Sequence, residues 1–121
     1  MKVRGGRNLY GHDIGILVLD TVFPRIAGDI GHAGTFPFPV LYHKVRNASP
    51  ARVVREGDPA LLEGFVAGAR TLEASGVLTI TTSCGFLAMF QRQLAEAVRV
   101  PVFDITALVR MVYAALHPPA Y

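Results

Sequence analysis

Cysteine is nearly missing from this sequence: Cys84 is the single thiol in 121 residues. An internal disulfide is thereby excluded, and so is a C-x-x-C metal site. Tryptophan is absent, and only 17% of residues are charged against 51% hydrophobic. That balance excludes a disordered, charge-solvated chain. It also predicts that part of the surface is covered, with a second copy of the chain as the natural cover. Lys and Arg outnumber Asp and Glu by 12 to 9, yet the basic residues are scattered. No cluster is interleaved with aromatics, so nucleic acid is not an expected partner and small anions are. Long hydrophobic runs are absent too. The run Ile14 to Leu19 is too short for a membrane span or a signal peptide. A cytoplasmic protein with no membrane partner is the expectation.

What is present is an alternation of strand and helix patterns in a length that suits one domain, residues 1–121. Residues 1–13 read as an irregular lead-in. Gly15-Ile-Leu-Val-Leu-Asp20 is a near-continuous apolar run, as in a parallel strand covered on both faces. A long Gly/Pro-rich stretch follows, Thr21 to Pro39, whose aromatics predict an ordered loop. Val40 to Val45 reads as a second strand, and Asn47 to Gly57 as a connection. Asp58-Pro59 opens a helix as N-cap and first residue. Its stripe is Leu61, Leu62, Phe65, Val66, Ala69 and Leu72, and Gly76 stops it. Val77 to Thr82 is a third strand. Phe86 to Val98 reads as a helix with Leu87, Phe90, Leu94 and Val98 on its dry face. Val100 to Asp104 is a fourth strand, and residues 105–117 form a closing helix with Leu108, Val109, Val112 and Leu116 inward. The fold class is α/β: a single three-layer domain with a mostly parallel sheet of about four strands and right-handed crossovers.

Ser83-Cys84-Gly85 lies where the third strand would give way to a helix. In open α/β sheets that edge holds ligands. Free N–H groups at a helix start favour a thiolate or a bound carboxylate. Cys84 is the candidate catalytic residue, a thiolate that removes a proton from the carbon beside a carboxylate. Thr82, Ser83, Gly85 and Phe86 are candidates for holding that carboxylate. Asp20, at the end of the first strand, and Arg25 and His32, in the long loop, complete the candidate binding set. Asp29, Thr35 and Asp104 share the same predicted edge. The loop glycines Gly28, Gly31 and Gly34 do not fit G-x-G-x-x-G or a P-loop, which excludes a nucleotide fold. No residue pattern predicts a metal.

Several segments carry a resemblance: Gly15 to Asp20 with Phe23-Pro-Arg-Ile-Ala-Gly-Asp-Ile-Gly31, Thr35 to Val40, Asp58 to Leu62, and Thr81-Thr-Ser-Cys-Gly-Phe-Leu87. Over about residues 14–117 the chain resembles the aspartate/glutamate racemase family. The resemblance implies a cofactor-independent isomerase, in which two cysteines face opposite sides of an amino-acid or related α-carbon. Cys84 matches the first. The second has no counterpart here, and family members are about twice this long. The resemblance therefore implies one domain plus its closing helix, with a homodimer supplying the missing cysteine. The alternatives are a single-cysteine decarboxylase, a non-catalytic remnant that binds a carboxylate, and an interaction domain.

Overall fold

The computed structural model describes residues 3–56, 59–103 and 112–119. One sheet of four strands organises it. In chain order they are β1 (Ile14–Val18), β2 (Val40–Lys44), β3 (Thr79–Thr82) and β4 (Val102–Phe103). Their spatial order is β2-β1-β3-β4, and every pairing is parallel. The small parallel α/β domain expected from the pattern is therefore what forms. The strands are trimmed at their ends: Leu19 and Asp20 lie past β1, and Val77 and Leu78 precede β3.

β1 sits inside the sheet because its side chains can be buried on both sides. Ile16 and Leu17 point to opposite faces and are both 0% exposed. On the Leu17 side lies α1 (Leu61–Ala74). Its approach is close because Gly68 has no side chain. A Cβ there would meet His43 Cδ2 at 2.8 Å and Leu17 Cδ2 at 2.9 Å. Leu61, Phe65, Ala69 and Leu72 are buried as the 3.6-residue stripe requires. Gly76 follows the helix at φ 96°, the left-handed stop that glycine adopts without strain. At the other end Ala60 holds the cap position without a side-chain hydrogen bond. The expected cap, Asp58, lies outside the described residues.

The segment after β3 corrects the single long helix expected there. Gly85–Phe90 is a 3-10 turn, and only Gln91–Ala97 is α-helical, here α2. Three residues per turn stack positions i and i+3 on one side. Leu87 and Phe90 thereby both reach the core, at 1% and 7% exposed. Leu94 and Val98 join them from α2, so the dry face survives the change of helix type. A second correction concerns the connection, where Ala51–Glu56 forms a π-helical turn.

The expected closing helix lies partly outside the described residues. Residues 112–116 are helical, but Val112 and Leu116 are 51% and 71% exposed and not inward. Periodicity marks an apolar face and does not specify what covers it. No described helix is long and apolar enough to cross a membrane.

Phe65 lies at the centre of the α1 contact, with no exposed surface and its ring 6.1 Å from that of Phe90. Phe65→Ala should lower the unfolding free energy by about 3–5 kcal/mol. A denaturant titration of wild type and variant reads this directly, and a loss under about 1 kcal/mol would contradict the packing described.

Candidate functional site

The sheet order creates a particular edge. The chain leaves β1 for β2 on one side and then crosses to β3 on the other. Such a reversal opens a crevice beyond the carboxyl ends of the two diverging strands, where α/β folds bind ligands. Cys84 lies there, two residues past the end of β3. The register continues one residue beyond the strand, with Ser83 N–H donating to the Leu17 carbonyl at 2.9 Å. Thr82, buried at 4%, donates its hydroxyl to the Cys84 carbonyl at 3.3 Å. Leu87 N–H donates to that carbonyl at 3.1 Å. The corner is therefore held by its own backbone carbonyl, and the Thr82 hydroxyl is spent on it. Cys84 is half-buried, a free thiol packed against the core cluster. Gly85 starts the 3-10 turn, and Phe86 lies within it with its side chain outside the described groups.

The other predicted residues divide into two sets. Asp20 ties β1 to the segment after β2. Its N–H donates to the Ala48 carbonyl at 3.0 Å, and its Oδ2 accepts from Asn47 N–H at 3.3 Å. Lys44 Nζ stands 4.0 Å from its other oxygen. Arg25, Asp29, His32 and Thr35 are brought together, but as the internal framework of the long loop. Arg25 Nη1 binds Asp29 Oδ1 at 2.7 Å, and Gly31 N–H donates to the same oxygen at 2.7 Å. Thr35 donates its hydroxyl to the Asp29 carbonyl at 2.6 Å and accepts from Gly28 N–H at 2.8 Å. His32 Nδ1 accepts from Gly34 N–H at 2.9 Å and caps the 3-10 turn Ala33–Thr35. Asp104 lies outside the described residues.

Tyr42 fastens this loop to the sheet by donating its hydroxyl to the Ile30 carbonyl at 2.6 Å. Burial raises its pKa above the ordinary value, and the nearby Asp29 carboxylate adds to that. Tyr42 and Lys44 alternate onto one face of β2, opposite Ile16 and Val18 in register. With Thr21, Phe23 and Arg25 they line a cleft of about 200 Å³ at the carboxyl ends of β1 and β2. Cys84 and His32 do not line it. Sequence reasoning singled out neither Lys44 nor Tyr42 as a site residue. The available signal was their i,i+2 spacing at the end of a parallel strand. Among the described residues, no group of three or more His, Cys, Asp or Glu side chains is placed to hold a metal.

No protein-family model matches the chain, and no solved structure matches it. Curated relatives do. The chain is 32% identical over 91 residues to dimethylsulfoniopropionate lyase 7 of Emiliania huxleyi (strain CCMP1516), covering 74% of the chain and 27% of that protein. It is 29% identical over 92 residues to dimethylsulfoniopropionate lyase 6 of the same organism, covering 74% of the chain and 24% of the relative. A dimethylsulfoniopropionate lyase of Durusdinium sp. clade D is 27% identical over 113 residues, 90% of the chain and 37% of the relative. The chain thus spans 24% to 37% of the length of these proteins.

These similarities overturn the racemase reading. The relatives are named as lyases and not as isomerases, and the single-cysteine decarboxylase gains no support from them. The physical reason for the misreading lies in the segments that carried it. A glycine-led apolar strand and a Thr-Ser-Cys-Gly corner specify a scaffold edge, and one scaffold edge hosts many reactions.

Asp29 gives this loop a pH dependence. The Gly31 N–H and then the Arg25 guanidinium hold its pKa below the ordinary 3.8. A carboxylate with a depressed folded-state pKa stabilises above its unfolded value, and the effect is lost as pH falls through the folded value. In an NMR titration the Gly31 amide should shift with a midpoint below 3.8, and Asp29→Asn should abolish that transition. A midpoint at or above the ordinary value would refute the carboxylate's role as loop anchor.

Proposed function

We propose that this chain carries part of the site of a lyase that eliminates a sulfonium group from a short carboxylate, with Cys84 as the base. The observation that carries this reading is the similarity to dimethylsulfoniopropionate lyases, 32% identity across 74% of the chain. That span includes most of a sheet whose ligand edge holds a thiol. The name of the relatives' substrate describes a dimethylsulfonium on a propionate, which is a zwitterion. Removing a proton from the carbon beside its carboxylate places an electron pair next to the carbon that bears sulfur. The pair forms a carbon–carbon double bond, the carbon–sulfur bond breaks, and its electrons leave on sulfur. The products are neutral dimethyl sulfide and acrylate, with the proton on Cys84 Sγ until water takes it. No external oxidant or reductant is needed.

Thr82, Ser83 and Gly85 would act on this reading through the corner they build, which sets the height of the thiol above the sheet. Phe86 belongs to the same turn. Asp20, Arg25 and His32 would act through the loop and strand end that flank it. The chain covers 27% of the first relative, so full turnover would draw on a second copy of this chain or on further polypeptide.

A second reading has its own support. Cys84 packs against the core and does not line the adjoining cleft, which suits a domain that binds a small carboxylate without turnover. Headspace gas chromatography of dimethyl sulfide separates the two. On the enzymatic reading, the chain incubated with dimethylsulfoniopropionate releases dimethyl sulfide above the buffer rate, and Cys84→Ser lowers that release by about 10²-fold or more. Release unaffected by the substitution would eliminate Cys84 as base, and no release above buffer would leave the binding domain.

A further inference from the structure

The cleft at the carboxyl ends of β1 and β2 takes no part in the proton removal described above. Its lining is nonetheless selective in charge. The charged side chains that face it are Arg25 and Lys44, both cationic. The carboxylates that approach them, Asp29 and Asp20, are outside the lining. The charged part of the lining is therefore wholly cationic.

The two cations differ in how they are held. The Arg25 guanidinium is fixed from three directions. Asp29 binds it at 2.7 Å, the Phe23 ring lies 4.3 Å from its centre, and its stem rests on Gly31. A Cβ on Gly31 would come within 2.9 Å of Arg25 Nε, so the glycine is what lets the guanidinium lie flat. A side chain already ordered loses little entropy when it meets a ligand. Lys44 is the opposite case, 58% exposed and only 4.0 Å from its nearest carboxylate oxygen. Its ammonium keeps donors for a ligand and can swing to meet one. Between them the ends of β1 supply an apolar floor, and Thr21 supplies a hydroxyl. Tyr42 is a wall, its hydroxyl committed to the Ile30 carbonyl. The volume of about 200 Å³ falls below that of pockets for drug-sized ligands, ~300–1,000 Å³.

We infer that this cleft binds the carboxylate of a short aliphatic monocarboxylic acid, with Lys44 and Arg25 as its charged contacts and Thr21 as a hydroxyl contact. The inference deepens the elimination reading and rests on it only for what happens to the ligand next.

Propionate tests the site, with propionamide as its uncharged isostere, followed by amide chemical shifts of the whole 121-residue protein. Propionate should produce saturable shifts at Thr21, Gly31 and Lys44, and propionamide none. Lys44→Gln should weaken propionate at least about tenfold, the scale of one lost charge-assisted hydrogen bond. Because Lys44 is exposed, this variant keeps the fold. Gly31→Ala, which displaces Arg25, should weaken binding as well. Unchanged affinity in Lys44→Gln, equal shifts with propionamide, or shifts confined to residues 83–85 would each overturn the assignment. Dimethyl sulfide release is a separate readout, so the lyase reading can fail while this site stands, and the reverse.

Discussion

Burial of β1 on both faces is the constraint on which the rest of the structure depends. Ile16 and Leu17 have no exposed surface although they point in opposite directions. A strand so placed must be interior, so β2 and β3 flank it and the chain must cross over it between them. That crossing is what opens the crevice at the carboxyl ends. The close approach of α1 depends on the same strand, because Gly68 yields the space that Leu17 and His43 fill. The position of Cys84 follows in turn. The β3 register against β1, continued by the Ser83–Leu17 hydrogen bond, carries the chain to its corner at a set height.

Around that edge the polar residues divide by what they serve. Asp29 accepts from Arg25 and Gly31 through one oxygen, and its backbone carbonyl accepts from Thr35. Asp20 performs a similar task for the segment after β2. The Asp29 carboxylate satisfies donors of a long loop that has little regular structure of its own. Arg25 and Lys44, the cations beside the two carboxylates, both line the cleft. The loop is ordered without being a helix or a strand because its backbone donors find side-chain acceptors.

Much of the scaffold was legible. The apolar run at β1, the stripe Leu61, Phe65, Ala69 and Leu72, and the stop at Gly76 each report a local rule that tertiary contacts did not oppose. Less legible was the stretch after Cys84. Its apolar spacing fits both 3.6 and 3.0 residues per turn over so short a span, and packing of Leu87 and Phe90 chose the tighter form. The inward assignment of Val112 and Leu116 failed because a periodic apolar face carries no information about its cover. The reaction class was misread for a related reason. Residues that build a strand–turn corner are required by the scaffold whatever the chemistry done on it. Similarity to named lyases redirected the reading, and no pattern within the chain would have done so.

By itself the sequence determined the α/β class, the parallel sheet and the place of the lone thiol after β3. These rest on periodicity and on turn residues, which act between near neighbours in the chain. Only the tertiary structure decided that Arg25 serves Asp29 first, that Tyr42 clamps the loop, and that Lys44 stands beside Arg25 at one cleft. The last two pairings join residues far apart in sequence, and the Arg25–Asp29 pair, four residues apart, lies in a loop with no regular period to place it. Their partners are set by strand register and by which face of the sheet a side chain meets, and no local pattern records either.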